Sequence, residues 1–243
     1  MNELKLTIKE IKKSYNSKLV LNNCSFEFDR GKTHVIIGPN GSGKSTLLRI
    51  CALLEYPDSG KVIYHNDYKT FEDSVELRRR TTLVFPKGGL FNTTVFKNSA
   101  YGLKLRKINK KEREQKVEDV LRDVGLWKKR NQNALTLSTG EGQRLALARA
   151  MVLKPDVLFL DEPTASLDPG STSIIEEIIG NIKRKYRPTI IMVTHNMFQA
   201  QRLADSVIFT FEGQILDSGP GDKFFENPTD ERAYKFITGQ MIY

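Results

Sequence analysis

His34-Val35-Ile36-Ile37-Gly38-Pro39-Asn40-Gly41-Ser42-Gly43-Lys44-Ser45 is the stretch that decides the fold. The first four residues form a short apolar run, the pattern of a buried strand. The next eight follow G-x-x-x-x-G-K-[ST], a glycine-rich turn between a strand and a helix. Glycines there reach backbone conformations closed to other residues and keep no Cβ between the backbone N–H groups and an anion. The spacing predicts a helix over Ser45 to Leu54, whose positive dipole end would face the turn. In this reading Gly38, Pro39, Asn40, Gly41, Ser42, Gly43 and Thr46 build a phosphate cradle. Lys44 supplies a cation to β- and γ-phosphates, and Ser45 a hydroxyl ligand to Mg²⁺. The expected ligands are therefore a nucleoside triphosphate and Mg²⁺.

Two more apolar runs, Val157 to Leu160 and Ile190 to Val193, read as strands buried on both faces of a parallel sheet. Asp161 and Glu162 follow the first directly. Ligands of open parallel sheets bind beyond the carboxyl ends of the strands, so this pair should stand beside the glycine turn. Asp161 is placed to hold Mg²⁺ through water, and Glu162 to orient or deprotonate an attacking water.

Upstream, Leu4 to Phe28 alternates in short runs and predicts antiparallel strands. Between the strand groups the period changes. Asn109 followed by Glu112 has the shape of a capping box, with Val117, Val120, Leu121 and Val124 behind it at helical spacing. Glu141 to Leu153 predicts a second amphipathic helix through Leu145, Leu147, Ala148 and Met151. The expected architecture is α/β: a phosphate-loop core with an N-terminal antiparallel β-subdomain (1–86 and 155–243) and an inserted helical subdomain (87–154).

The bulk properties bound the function class. The chain has 243 residues, 39% hydrophobic and 28% charged, as in a soluble globular protein. No apolar run approaches the roughly 20 residues a membrane-spanning helix needs. The opening Met1-Asn2-Glu3-Leu4-Lys5 carries acid and no long apolar stretch, so we expect no leader peptide and a cytoplasmic protein. Cys24 and Cys51 sit among apolar residues without metal-ligand spacing and read as core residues. The net charge of +9 is spread along the chain, with Glu112 and Glu114 interleaved in its densest stretch, so no nucleic-acid partner is expected.

The sequence Leu137-Ser138-Thr139-Gly140-Glu141 distinguishes among the phosphate-loop proteins. It resembles the LSGGQ signature of ABC ATPases and lies ahead of Gly142-Gln143-Arg144, before the carboxylate strand. Ala165-Ser166-Leu167-Asp168 resembles the D-loop of that family, His195 its switch histidine, and Tyr15 the aromatic residue that stacks on adenine. The resemblance runs from about Leu4 to Tyr243. It implies catalytic roles for Glu162, His195 and Lys44, and a homodimer that sandwiches ATP. In that dimer Ser138, Gly140, Glu141 and Asp168 would contact the nucleotide held by the partner. It implies transmembrane permease subunits as partners, an external substrate-binding protein indirectly, and a peripheral place on the cytoplasmic face of the cell membrane.

Three departures stand out: Thr139 where the signature has glycine, Glu141 where it has glutamine, and Pro86 where the loop after Leu83-Val84-Phe85 should begin with glutamine. Proline carries no side-chain donor or acceptor. The single cassette, Phe91-Asn92-Thr93-Thr94-Val95 and the segment Phe224 to Gly239 resemble subunits of oxyanion importers, tungstate or molybdate first and phosphate second. The alternative is a soluble ABC ATPase acting on DNA or ribosomes. Such proteins usually carry paired cassettes, long coiled-coil insertions or zinc modules, and the sequence shows none.

Overall fold

The computed structural model describes residues 4–241. Met1, Asn2 and Glu3, on which the leader-peptide reading partly rests, and Ile242 and Tyr243, where the span of resemblance ends, lie outside them. The strands are β1 (Lys5–Tyr15), β2 (Lys18–Phe28), β3 (Thr33–Ile37), β4 (Ser59–His65), β5 (Thr70–Phe71), β6 (Thr81–Val84), β7 (Val157–Asp161), β8 (Thr189–Val193), β9 (Ser206–Phe211) and β10 (Gln214–Pro220). The helices are α1 (Lys44–Cys51), α2 (Val75–Arg78), α3 (Val95–Leu105), α4 (Lys110–Asp123), α5 (Thr139–Met151), α6 (Pro169–Tyr186), α7 (Met197–Leu203), α8 (Gly221–Phe224) and α9 (Glu231–Ile237).

Two sheets result. One is antiparallel, in the order β2-β1-β4-β5; the other runs β10-β9-β3-β8-β7-β6, parallel except for the edge strand β10. The β1–β2 hairpin turns through Asn16 and Ser17, with φ of 47° and 64°, the two left-handed residues that match strand twist in a tight hairpin. Every residue of β3, β7 and β8 is buried, which explains their unbroken apolar runs. One apolar cluster joins the parallel sheet to α3–α6, and a second fills the space between that sheet, α1 and the antiparallel sheet. Cys24 and Cys51 lie in the second cluster as expected; burial pushes the Cys24 thiol up to about 11.

The helices between β6 and β7 match the predicted change of period, with adjusted ends. Helix α5 starts at Thr139, two residues earlier than its apolar pattern, because Ser138 caps it. Helix α1 stops at Cys51 rather than Leu54, since Leu53 turns the chain at φ 58°. Strand β8 ends at Val193, and Thr194 lies beyond it. At α4 only one half of the capping box forms: Asn109 accepts from the Glu112 N–H, while the return contact joins Asn109 Nδ2 to the Glu112 carboxylate. Helix α6 begins at Asp168 followed by Pro169 in its first turn, and ends at Arg187 in the left-handed conformation before Pro188. Among the described residues no helix is long and apolar enough to cross a membrane.

Candidate functional site

Strands β3, β8 and β7 are parallel neighbours, so the loops at their carboxyl ends lie side by side. This topology brings together residues 38–45, 161–162 and 194–195, segments far apart in sequence. Ser45 Oγ donates to Asp161 Oδ1 at 2.9 Å. His195 Nδ1 stands 2.8 Å from Glu162 Oε2. Glu162 itself has φ 47°, an uncommon conformation for a residue with a Cβ, and its N–H donates to Val193 O at 3.0 Å. The turn is therefore pinned to β8 from both backbone and side chain.

Lys44 is only 7% exposed, and its ammonium donates to Gly38 O at 2.8 Å and Pro39 O at 2.7 Å. Burial lowers its pKa, and the nearby Glu162 and Asp161 carboxylates oppose that shift. Ser42 N–H donates to Pro39 O at 3.2 Å, and its hydroxyl pairs with Thr210 Oγ1 at 3.0 Å, so its side chain faces β9. Asn40 is exposed at the turn, and Thr46 is buried with its hydroxyl 3.2 Å from Arg49 Nη2.

The glycines have separate reasons. At Gly38 a Cβ would lie 2.0 Å from Thr210 O, so the need there is close packing on β9 rather than room for a ligand. Gly41, at φ 81°, has nothing within 4 Å of its Cβ position and leaves the cradle open. This geometry fits a triphosphate with its metal. An open turn carries a buried ammonium, and the Ser45–Asp161 pair is an oxygen donor set suited to Mg²⁺.

The signature segment lies elsewhere. Ser138 Oγ accepts from Glu141 N–H at 3.3 Å, and Glu141 Oε2 accepts from Ser138 N–H at 3.2 Å, a complete capping box. Lys129 Nζ stands 2.5 Å from Glu141 Oε1 and Arg144 Nη2 3.6 Å from it. The Lys129 contact holds the Glu141 carboxyl below its usual range. Gly140 packs on Ser171, the residue whose N–H and hydroxyl are taken by Asp168 at 2.9 Å and 2.7 Å. Among the described residues no hydrogen bond or ion pair joins Ser138, Gly140, Glu141 or Asp168 to the glycine turn, Asp161 or Glu162. Tyr15 is 40% exposed, with its hydroxyl hydrogen-bonded to Glu55 and Lys13 Nζ 5.6 Å from its ring centre.

Sequence reasoning missed several supports. Arg149 donates to Gly88 O at 3.0 Å and Gly89 O at 2.7 Å and lies over the Phe91 ring, which anchors the loop that begins at Pro86. Pro86 itself is exposed. Lys129 carries no motif signal because it lies outside the signature. A network from the buried Gln199 through the half-buried Thr164 and Glu176 to the exposed Arg202 backs the Glu162 turn. Only the positions of Thr164, two residues after Glu162, and of Gln199, four after His195, hinted at it.

Comparison with known proteins gives concordant results. Residues 21–165 match the family described as ABC transporter. The chain is 38% identical to "Phosphate import ATP-binding protein PstB 2" of Natronomonas pharaonis, covering 98% of this chain and 88% of that protein. It is 43% identical to "Tungstate uptake system ATP-binding protein TupC" of Peptoclostridium acidaminophilum, covering 91% and 100%. In structure it resembles cbiO1 from Clostridium perfringens, described as part of an ABC transporter complex, with TM-score 0.84, 28% identity and coverage of 93% and 92%. It also resembles the ATP-binding cassette MJ0796, solved as a dimer in a post-hydrolysis state bound to ADP and Pi. There the TM-score is 0.78 and the identity 25%, with 88% of this chain and 98% of that chain covered.

Proposed function

Because this chain belongs to the ABC transporter family, we propose that it is the ATP-hydrolysing subunit of an importer for an oxyanion, tungstate or molybdate first and phosphate second. The observation that carries the reading is the convergence of Lys44, Ser45, Asp161, Glu162 and His195 at the carboxyl ends of three adjacent strands. In this reading the backbone N–H groups of residues 38–46 and the Lys44 ammonium hold the phosphates, exchanging the carbonyls of Gly38 and Pro39 for phosphate oxygens. Tyr15 stacks on the adenine. Ser45 directly and Asp161 through water would hold Mg²⁺, which would neutralise charge on the phosphates.

Glu162 has two oxygens with separate tasks. Oε2 accepts from His195, and Oε1, with no partner among the described residues, takes the proton of the water that attacks the γ-phosphorus as the bond to the bridging oxygen breaks. With both ring nitrogens protonated, His195 donates from Nε2 to the γ-phosphate and so links its presence to Glu162.

The second set of residues completes the site from a second copy. Ser138 uses its oxygen as an acceptor within the capping box, which leaves its hydroxyl proton to donate to the γ-phosphate held by the partner. Lys129 and Arg144 neutralise Glu141 and make a carboxylate compatible with that position. Gly140 and Asp168 approach from the same face. The division into 1–86 with 155–243 and 87–154 then has a mechanical meaning, one part holding phosphates and the other presenting the signature. An apolar groove of about 500 Å³ floored by Phe91, Phe96, Ala100 and Tyr101, with Lys97 and Lys104 at its rim, is suited to a cytoplasmic helix of the permease.

Membrane vesicles containing the untagged permease and the external binding protein test the reading. ATP hydrolysis should rise with tungstate, molybdate or phosphate in that order of potency. Purification of the chain without any hydrophobic companion, together with indifference to all three anions, would overturn it.

A further inference from the structure

Glu162 occupies a backbone conformation that its own side chain disfavours, and His195 meets it from the loop after β8. Strained residues persist where the surroundings over-determine them. The structure supplies that surrounding in one buried side chain. Gln199 is fully buried on α7 and is held at the helix start, where its N–H donates to Asn196 Oδ1 at 3.0 Å. Asn196, the residue after His195, donates in turn to Thr194 Oγ1 at 3.1 Å.

The Gln199 amide lies 3.0 Å from Thr164 Oγ1 through Nε2 and donates to Glu176 Oε1 at 3.3 Å. Its Oε1 accepts from the Thr164 hydroxyl at 3.2 Å. Glu176, on α6, is fixed from outside by Arg202, which reaches both carboxylate oxygens at 2.8 Å. Thr164 belongs to the turn that carries Glu162: Ala165 N–H donates to Glu162 O at 3.1 Å and Leu167 N–H to Thr164 O at 3.2 Å. One amide thus joins the turn after Glu162, the turn after His195 and the helix that Asp168 caps.

We propose that Gln199 is a positioning residue for hydrolysis, holding the Glu162 turn and the His195 turn in one register through its contacts to Thr164 and Glu176. It touches neither nucleotide nor water, and its effect passes through Glu162 and His195. The inference rests on the proposed ATPase reading. A primary amide is suited to the position because it donates to one neighbour and accepts from another. A carboxylate at 199 would face Glu176, and an apolar side chain would remove the partner of the Thr164 hydroxyl and leave Glu176 to Arg202 alone.

Full-length parent, Gln199→Leu, Thr164→Val, Gln199→Glu and Gln199→Glu combined with Glu176→Gln are compared for ATP affinity, kcat and thermal midpoint. The expected result is a kcat at least tenfold lower in the three single variants, with ATP affinity within twofold of the parent because the glycine turn is untouched. The combined variant restores a donor opposite an acceptor and should recover kcat to within threefold of the parent. Combining Thr164→Val with Gln199→Leu should cost no more than either alone, since both break one link. A folded Gln199→Leu with kcat within twofold of the parent overturns the proposal, as does a loss of kcat matched by an equal loss of ATP affinity. A parent that does not hydrolyse ATP refutes the ATPase reading instead, and this inference with it.

Discussion

His195 Nδ1 and Glu162 Oε2 meet at 2.8 Å across the ends of β8 and β7, although 33 positions separate them in the chain. The contact ties the carboxylate to a ring that is largely exposed, so the pair can respond to what lies in front of it. In the proposed reading this divides Glu162 into an oriented oxygen and a reactive one.

Glu162→Gln should keep ATP binding and abolish turnover, because the amide preserves shape and loses the charge that polarises water. The amide keeps an acceptor oxygen for His195. Size-exclusion chromatography should then show a stable dimer with ATP and a monomer without it. A monomer at saturating ATP contradicts the sandwich.

Lys44→Ala should weaken ATP binding. Hydrogen bonds to charged groups contribute about 1.5–3 kcal/mol, roughly ten- to a hundredfold in affinity. Among the described residues the buried ammonium donates to two carbonyls of its own turn, so its removal acts locally on that turn. Titration with a fluorescent ATP analogue checks this, and unchanged affinity means the phosphates sit elsewhere.

Pro86→Gln should raise the ATPase rate at low Mg²⁺. A glutamine there adds a side-chain donor and acceptor that proline lacks, and Arg149 still holds Gly88 and Gly89, so the loop keeps its path. The parent should be slow and need high Mg²⁺, with a gain of about ten- to a hundredfold from one charged-group hydrogen bond. The measurement is rate against Mg²⁺ concentration. A parent that is fast at low Mg²⁺ and slowed by the substitution assigns the role to another group.

Stability should fall with acid through His34. Its ring is buried, 3.0 Å from Asp29 O and edge-on to Phe26 and Phe28, and burial holds its pKa below the ordinary 6.5 against the pull of Asp29 and Asp205. Between that depressed value and 6.5 the unfolded chain binds the proton and the folded chain does not. The His34 contribution is therefore intact above about pH 7 and lost as pH drops, at no more than about 1.4 kcal/mol per pH unit. Urea midpoints at pH 7.5, 6.5 and 5.5 should decline less for His34→Phe than for the parent. Parallel declines would exclude His34 as the cause.

The sequence by itself determined the family and the elements that carry its motifs. Patterns short in range carry that information: the apolar runs of β3, β7 and β8, the eight residues from Gly38 to Ser45, and the five from Leu137 to Glu141. Each element end that the apolar pattern missed reflects a cap or a left-handed residue, as at Ser138 and Leu53. The tertiary structure alone decided which groups meet. Nothing local links Ser45 to Asp161, 116 positions away, or assigns Gly38 to packing on Thr210 rather than to ligand clearance. Nor could periodicity show that Glu141 faces Lys129, or that Gln199 closes the space between Thr164 and Glu176. The physical reason is that sheet order sets these encounters: β8 lies between β3 and β7, and hydrogen bonding between strands distant in the chain, not residue spacing, puts their loops at one edge.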